Sequence, residues 1–92
     1  MSRPFEIFQE DTDVLEDIGL EHHLILHNDD YNTFDFVIEA LIDVCNHTEH
    51  QAEQCALIVH YKGKCSVRTG ATGILKPMKE ALLDRGLNAT ID

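Results

Sequence analysis

The residues best equipped for chemistry sit together in one short stretch, His27-Asn28-Asp29-Asp30-Tyr31. It follows the apolar run Leu24-Ile25-Leu26 and precedes Asn32-Thr33-Phe34-Asp35-Phe36-Val37, so it falls where a strand gives way to a helix. One Asx residue is enough to form such a turn. Three in a row set a carboxamide and two carboxylates at the end of the strand. That set suits a cation, and the α-ammonium group of a peptide in particular. Asn28 offers a carboxamide oxygen, and Asp29 or Asp30 offers a charge-assisted acceptor. A third acceptor must come from another direction, and a neutral His60 can supply a ring nitrogen. The first side chain of the peptide then needs apolar surface, for which Phe34, Val37, Ala56 and Val59 are placed on two helical stripes. Capture of a terminal amine is an established recognition mode. The bland alternative for His60 is a packed or solvated helical histidine.

Other chemistries find less in the chain. The two serines, Ser2 and Ser66, lie in no nucleophile motif, and Cys65 has no histidine beside it in sequence. Thr69-Gly70-Ala71-Thr72-Gly73 lacks the Gly-Lys-Ser/Thr ending of a phosphate loop. The expectation is a protein that is not an enzyme. Six histidines raise the question of a metal. His23 and His27 share one strand face but lie roughly 13 Å apart along it, too far to share one ion. Asn28-Asp29-Asp30 lacks the spaced acids and distal glutamate of a calcium loop. His47 and His50 flank a helix start and read as solvated. No metal and no cofactor are expected.

The elements that must position these residues follow from periodicity. His22 to His27 reads as a strand, with Leu24-Ile25-Leu26 continuous and therefore central or buried on both sides. A helix runs from about Thr33 to Asn46, with Asn32 as N-cap, Asp35 completing a capping-box pattern, and Phe34, Val37, Ile38, Leu41, Val44 and Cys45 on its inner face. Thr48-x-x-Gln51 opens a second helix. Its stripe is Ala52, Cys55, Ala56 and Val59, widened by Leu57 and Ile58, and Gly63 is its left-handed stop. Lys64 to Arg68 is a short strand. A third helix spans about Ile74 to Arg85, with Pro77 in its first turn. Its stripe is Ile74, Leu75, Met78, Ala81 and Leu82, and Gly86 ends it. Leu87 to Ile91 alternates as a half-buried strand does. The order β-α-α-β-α-β predicts an α+β two-layer sandwich, three helices packed on a small antiparallel three-stranded sheet.

The chain has 92 residues, a net charge of −10 and a hydrophobic fraction of 43%, with a pI near 4.8. That is one small domain. Its acidity points away from nucleic acid and from an anionic membrane, which need a basic footprint, and suits a cationic partner. Residues 1–20 carry Glu6, Glu10, Asp11, Asp13, Glu16 and Asp17 against Arg3 alone, and read as a mobile acidic arm ahead of a core domain at residues 21–92. No apolar run approaches the ~20 residues that span a bilayer, and Met1 to Phe5 lacks the apolar core of a signal peptide. Cys45, Cys55 and Cys65 form no C-x-x-C pair and read as free thiols in a reducing compartment. A cytoplasmic location is the expectation.

Two stretches in order, His27-Asn28-Asp29-Asp30-Tyr31 with Phe34-Asp35-Phe36-Val37, and Val59-His60-Tyr61-x-Gly63-Lys64, resemble ClpS, the adaptor family of the bacterial Clp protease. The resemblance covers residues 22 to 92. It implies an adaptor that recognises the free N-terminal residue (Leu, Phe, Tyr or Trp) of N-degron substrates. Such an adaptor passes them to the AAA+ unfoldase, ClpA or ClpC, of the ClpP protease. By position it implies that Asn28, Asp29, Asp30 and His60 form the amine-binding set, with Asp29 nearest the peptide backbone. Leu26, Asn32, Phe34, Val37, Ala56, Val59 and Leu87 would line or rim the side-chain pocket. Lys76 would be an unfoldase contact, the acidic arm would engage the unfoldase during handover, and the protein would act as a monomer. Phe34 and Ala56 stand where methionine is common in the family, and Asn32-Thr33 replaces a Thr-Pro pair. The competing expectation is an interaction module that docks on and regulates the Clp unfoldase without N-degron selectivity.

Overall fold

The computed structural model describes residues 21–92; the acidic stretch read above as an arm lies outside the described residues. The elements are β1 (His22–His27), α1 (Phe34–Cys45), α2 (Glu49–Lys62), β2 (Lys64–Gly70), α3 (Thr72–Asp84) and β3 (Asn88–Ile91). The sheet order is β2-β1-β3, with both pairings antiparallel. The expected order and class are therefore those observed. β1 is the central strand, as its continuous apolar run required. Leu24 and Leu26 are fully buried and Ile25 half-buried, so one face of the sheet meets the helices and the other stays partly solvated.

The core is built from Leu24 and Leu26 of β1, Leu41 and Cys45 of α1, Ala52 and Val59 of α2, Val67 of β2 and Leu75 and Leu82 of α3. Leu87 and Ala89 close it from the last strand and its approach. Period-two burial of Leu87, Ala89 and, in part, Ile91 is what the alternation predicted. Leu57 and Ile58 do not widen the α2 stripe. Both are about 40% exposed, because the small residues Ala52 and Ala56 bring the opposite side of α2 against the core.

The helix starts separate two chemically similar neighbours. The N-cap of α1 is Thr33, not Asn32: Thr33 Oγ1 accepts the backbone N–H of Phe36 at 3.0 Å. Asn32 is drawn elsewhere by tertiary partners described below. At α2 the expected capping box is complete, with the Thr48 N–H donating to Gln51 Oε1 at 2.9 Å and the Gln51 N–H to Thr48 Oγ1 at 3.1 Å. Gly63 ends α2 at φ 92°, its N–H donating to the Val59 carbonyl at 2.9 Å, a backbone state that favours glycine. α3 begins two residues earlier than its stripe suggested, so Pro77 lies in the second turn rather than the first. Proline has no N–H for the Gly73 carbonyl, but Gly73 is exposed and water can serve it.

His47 is the other departure. It is buried rather than solvated, and its Nε2 donates to the Val67 carbonyl at 2.6 Å. The reason lies in the β1–β2 register, which shifts between Leu24 (opposite Arg68) and Ile25 (opposite Ser66). Val67 is thus the extra residue of a bulge, whose ladder bonding is interrupted, and His47 satisfies its carbonyl. The next residue, Arg68, donates Nη1 to the Cys45 carbonyl at 3.0 Å, a cation on a helix C-terminus.

Candidate functional site

The turn after β1 is fastened at three points. Its backbone is anchored where the Asn28 N–H donates to the Gly63 carbonyl at 2.9 Å. That bond ties the turn to the end of α2, just past His60. Its middle is organised by Asp29. Oδ1 accepts the backbone N–H groups of Tyr31 and Asn32, both at 2.8 Å, and Oδ2 accepts Asn32 Nδ2 at 3.0 Å. Partial burial would raise the Asp29 carboxyl. The Asn32 side chain, the Asn32 N–H and the Tyr31 N–H outweigh it and hold the carboxyl below the usual carboxylate range. The third point is the Asn32 carboxamide, which also donates to the Gly86 carbonyl at 3.0 Å.

With Asp29 turned inward onto its own backbone, Asn28 and Asp30 on either side of it are exposed. They border a cavity of about 450 Å³ lined by Asn28, Asp29, Asp30, Asn32, Phe34, Val37, Ala56, Val59 and His60. The lining includes polar groups, a carboxamide, carboxylates and an imidazole from Asn28, Asp29, Asp30 and His60. The walls are apolar, from Phe34 and Val37 on the first turn of α1 and from Ala56 and Val59 on α2. His60 follows Val59 on α2 and is exposed, with the Tyr61 ring edge-on at 5.0 Å.

Nine of the expected site residues are thus brought together. Leu26 and Leu87 are not among them: they are 1% and 4% exposed and belong to the hydrophobic core. Both lie in the hydrophobic core and are absent from the cavity lining. Lys76 is exposed on α3 and is absent from the cavity lining. Sequence reasoning missed two contributors, the carbonyls of Gly63 and Gly86. Both glycines were legible as helix stops, but nothing local signals which chain segment their carbonyls will hold. Among the described residues no three His, Cys, Asp or Glu side chains converge as a metal site, and no helix is long and apolar enough to cross a membrane.

A small α+β scaffold whose cavity is lined by both polar acceptors and apolar side chains is the make-up of a binding domain. The model of the family "ATP-dependent Clp protease adaptor protein ClpS" matches residues 20–90, and the chain belongs to that family. It is 42% identical over 67 residues to the ATP-dependent Clp protease adapter protein ClpS of Oleidesulfovibrio alaskensis, covering 66% of this chain and 64% of the relative. To the ClpS of Vibrio cholerae it is 40% identical over 70 residues, covering 70% and 66%. The matched stretch therefore spans just under two thirds of these relatives' own length. Among solved structures the fold is similar to that of Agrobacterium tumefaciens ClpS2 bound to L-phenylalaninamide. The TM-score is 0.72 and the identity 24%, over 78% of this chain and 94% of the other; at that identity the likeness is one of fold.

Proposed function

We propose that the cavity binds the free N-terminal residue of N-degron substrates, and that the protein delivers them to the ClpA or ClpC unfoldase of the ClpP protease. The observation that carries this reading is the meeting, on one cavity, of Asn28, Asp30 and His60 with the apolar walls of Phe34, Val37, Ala56 and Val59. An α-ammonium group has three N–H bonds to place. Asn28 Oδ1, an Asp30 carboxylate oxygen and a neutral His60 nitrogen are three acceptors from different directions, and Asp29 holds the turn beneath them. The side chain of the first residue enters between α1 and α2.

The energies are adequate. Burying a Leu or Phe side chain supplies roughly 1.5–3 kcal/mol, and each hydrogen bond to a charged group about 1.5–3 kcal/mol. One such bond set and one buried side chain sum to roughly 6–12 kcal/mol before the cost of association, the same order as micromolar binding at about −8 kcal/mol. An acetylated terminus has lost the charge and two N–H bonds, and would leave carboxylate and carboxamide acceptors unserved. Selectivity thus has two sources, cavity size for Leu, Phe, Tyr or Trp and the acidic turn for the free amine. Lys76, exposed on α3, is assigned to the unfoldase contact, residues 1–20 to the handover, and the cytoplasm to the setting, with the adaptor acting as a monomer.

The test is reconstituted proteolysis. Unfoldase and ClpP are mixed with a stable reporter beginning with Leu or with Met, with and without this protein. Adaptor-dependent loss of the Leu reporter alone is expected. Equal effects on both reporters would replace the proposal with an unfoldase regulator that does not read the first residue.

A further inference from the structure

Asn32 lines the cavity, yet its carboxamide is already engaged on both N–H bonds. One is directed to Asp29 Oδ2 and the other to the Gly86 carbonyl, each at 3.0 Å. A primary amide has two such hydrogens, so Asn32 has none left for a peptide. We propose that Asn32 is a positioning residue for amine recognition, bridging the acidic turn to the end of α3 so that Asn28 and Asp30 face the cavity. This rests on the amine-binding reading above and adds to it a residue that acts through its neighbours.

Asp29 receives all three of its hydrogen bonds from residues 31 and 32, and two of the three come from Asn32. The carboxylate that shapes the turn is therefore oriented mainly by one residue. The Gly86 carbonyl belongs to a tightly closed helix end, where the Gly86 N–H donates to Leu83 at 2.9 Å and the Leu87 N–H to Leu82 at 3.0 Å. Leu87 is buried in the core and ties this helix end to it. Across the turn, the Asn28 N–H is held by Gly63 at the end of α2. The turn is thus suspended between the ends of two helices, with Asn32 on one side and Asn28 on the other. Asp30 lies between the fixed points, and the Asn28 side chain branches from one of them. The lowered acidity range of Asp29 agrees, since the Asn32 side chain heads the hydrogen bonds that keep it charged. Loss of the bridge frees the turn to rotate and misdirects the acceptors, a displacement to which charge-assisted bonds are sensitive.

The test compares two ligands on the full chain, a peptide beginning with Leu and the same peptide with a 4-methylpentanoyl group in its place, which keeps the side chain and lacks the amine. Asn32→Ala is expected to weaken the Leu peptide about tenfold, as for one misplaced charged hydrogen bond, and to leave the amine-free analogue nearly unchanged. Asn32→Asp keeps the shape, removes both donors and faces Asp29 with a like charge, so it is expected to lose at least as much. Equal losses for both ligands, or no loss, would overturn the proposal. A wild-type protein that does not prefer Leu over the analogue would instead overturn the amine-binding reading itself. A measurement on the wild type stands if the variants do not fold: NMR of the Asn32 side-chain amide. Two protons slowed in exchange relative to those of exposed Asn46 and Asn88 support the bridge, and exchange as fast as theirs refutes it.

Discussion

Replacing Asp29 by Ala removes a single carboxylate and three hydrogen bonds at once. Bonds to a charged group are worth about 1.5–3 kcal/mol each when made in isolation. Here they share one half-buried carboxylate that water can partly reach, so their sum is well short of additive. A loss of about 2 kcal/mol is the expectation, which for a domain of this size is a fall of roughly 10 °C in Tm. The pH dependence is the sharper test. The folded state holds the Asp29 carboxyl below its usual range, so the folded protein binds this proton less readily than the unfolded chain does. Its stabilising contribution is therefore fully present above the usual carboxylate range and disappears as the pH falls through the lowered folded value. Urea unfolding of wild type and Asp29→Ala from neutral pH into acid should show a gap that narrows as the pH falls. A gap that stays constant across that range, or a variant as stable as wild type at neutral pH, would refute the assignment of Asp29 to the turn.

Three further outcomes are expected. His60→Ala should weaken binding of a Leu-initiated peptide while leaving the melting temperature unchanged, because His60 is exposed; a large loss of stability would make it a packing residue instead. Thr48→Ala should cost about 1 kcal/mol in urea unfolding by opening the capping box, and an unaltered midpoint would contradict that. Among the thiols, burial pushes Cys65 up to about 12, with Cys55 beside it adding to the effect, and pushes Cys45 up to about 11. Ellman's reagent at mildly alkaline pH should therefore modify the fully buried Cys45 last in the native protein and all three thiols together only in denaturant; equally fast native modification of all three would count against this packing.

The fold was legible because its signals are local. Leu24-Ile25-Leu26, the stripes at Leu41 and Cys45 and at Leu75 and Leu82, and the Thr48–Gln51 box each declare an element within a few residues. The site's ingredients were equally visible, since three adjacent Asx residues exceed the needs of a turn. What stayed hidden depends on distant partners. Asn32 and Thr33 are both good caps, and the choice between them is made by Gly86, far along the chain. His47 looked like a surface residue because the bulge that offers it the Val67 carbonyl arises only when β1 and β2 pair. Leu57 and Ile58 are as apolar as their neighbours, but only the approach of α2 through Ala52 and Ala56 decides which sector of the helix is covered. Leu26 and Leu87 resembled cavity residues by position in the chain, and the close packing of sheet on helices took them into the core.

In the proposed function the acidic turn and the apolar cavity together read a free first residue. The most direct measurement is a fluorescence-anisotropy titration of the full chain with two peptides that differ only at the terminus, one beginning with Leu and one with acetyl-Leu. Saturable binding to the free Leu peptide, and none to the acetylated one at the same concentrations, is the predicted result. Equal binding to both, or binding to neither, would contradict the account.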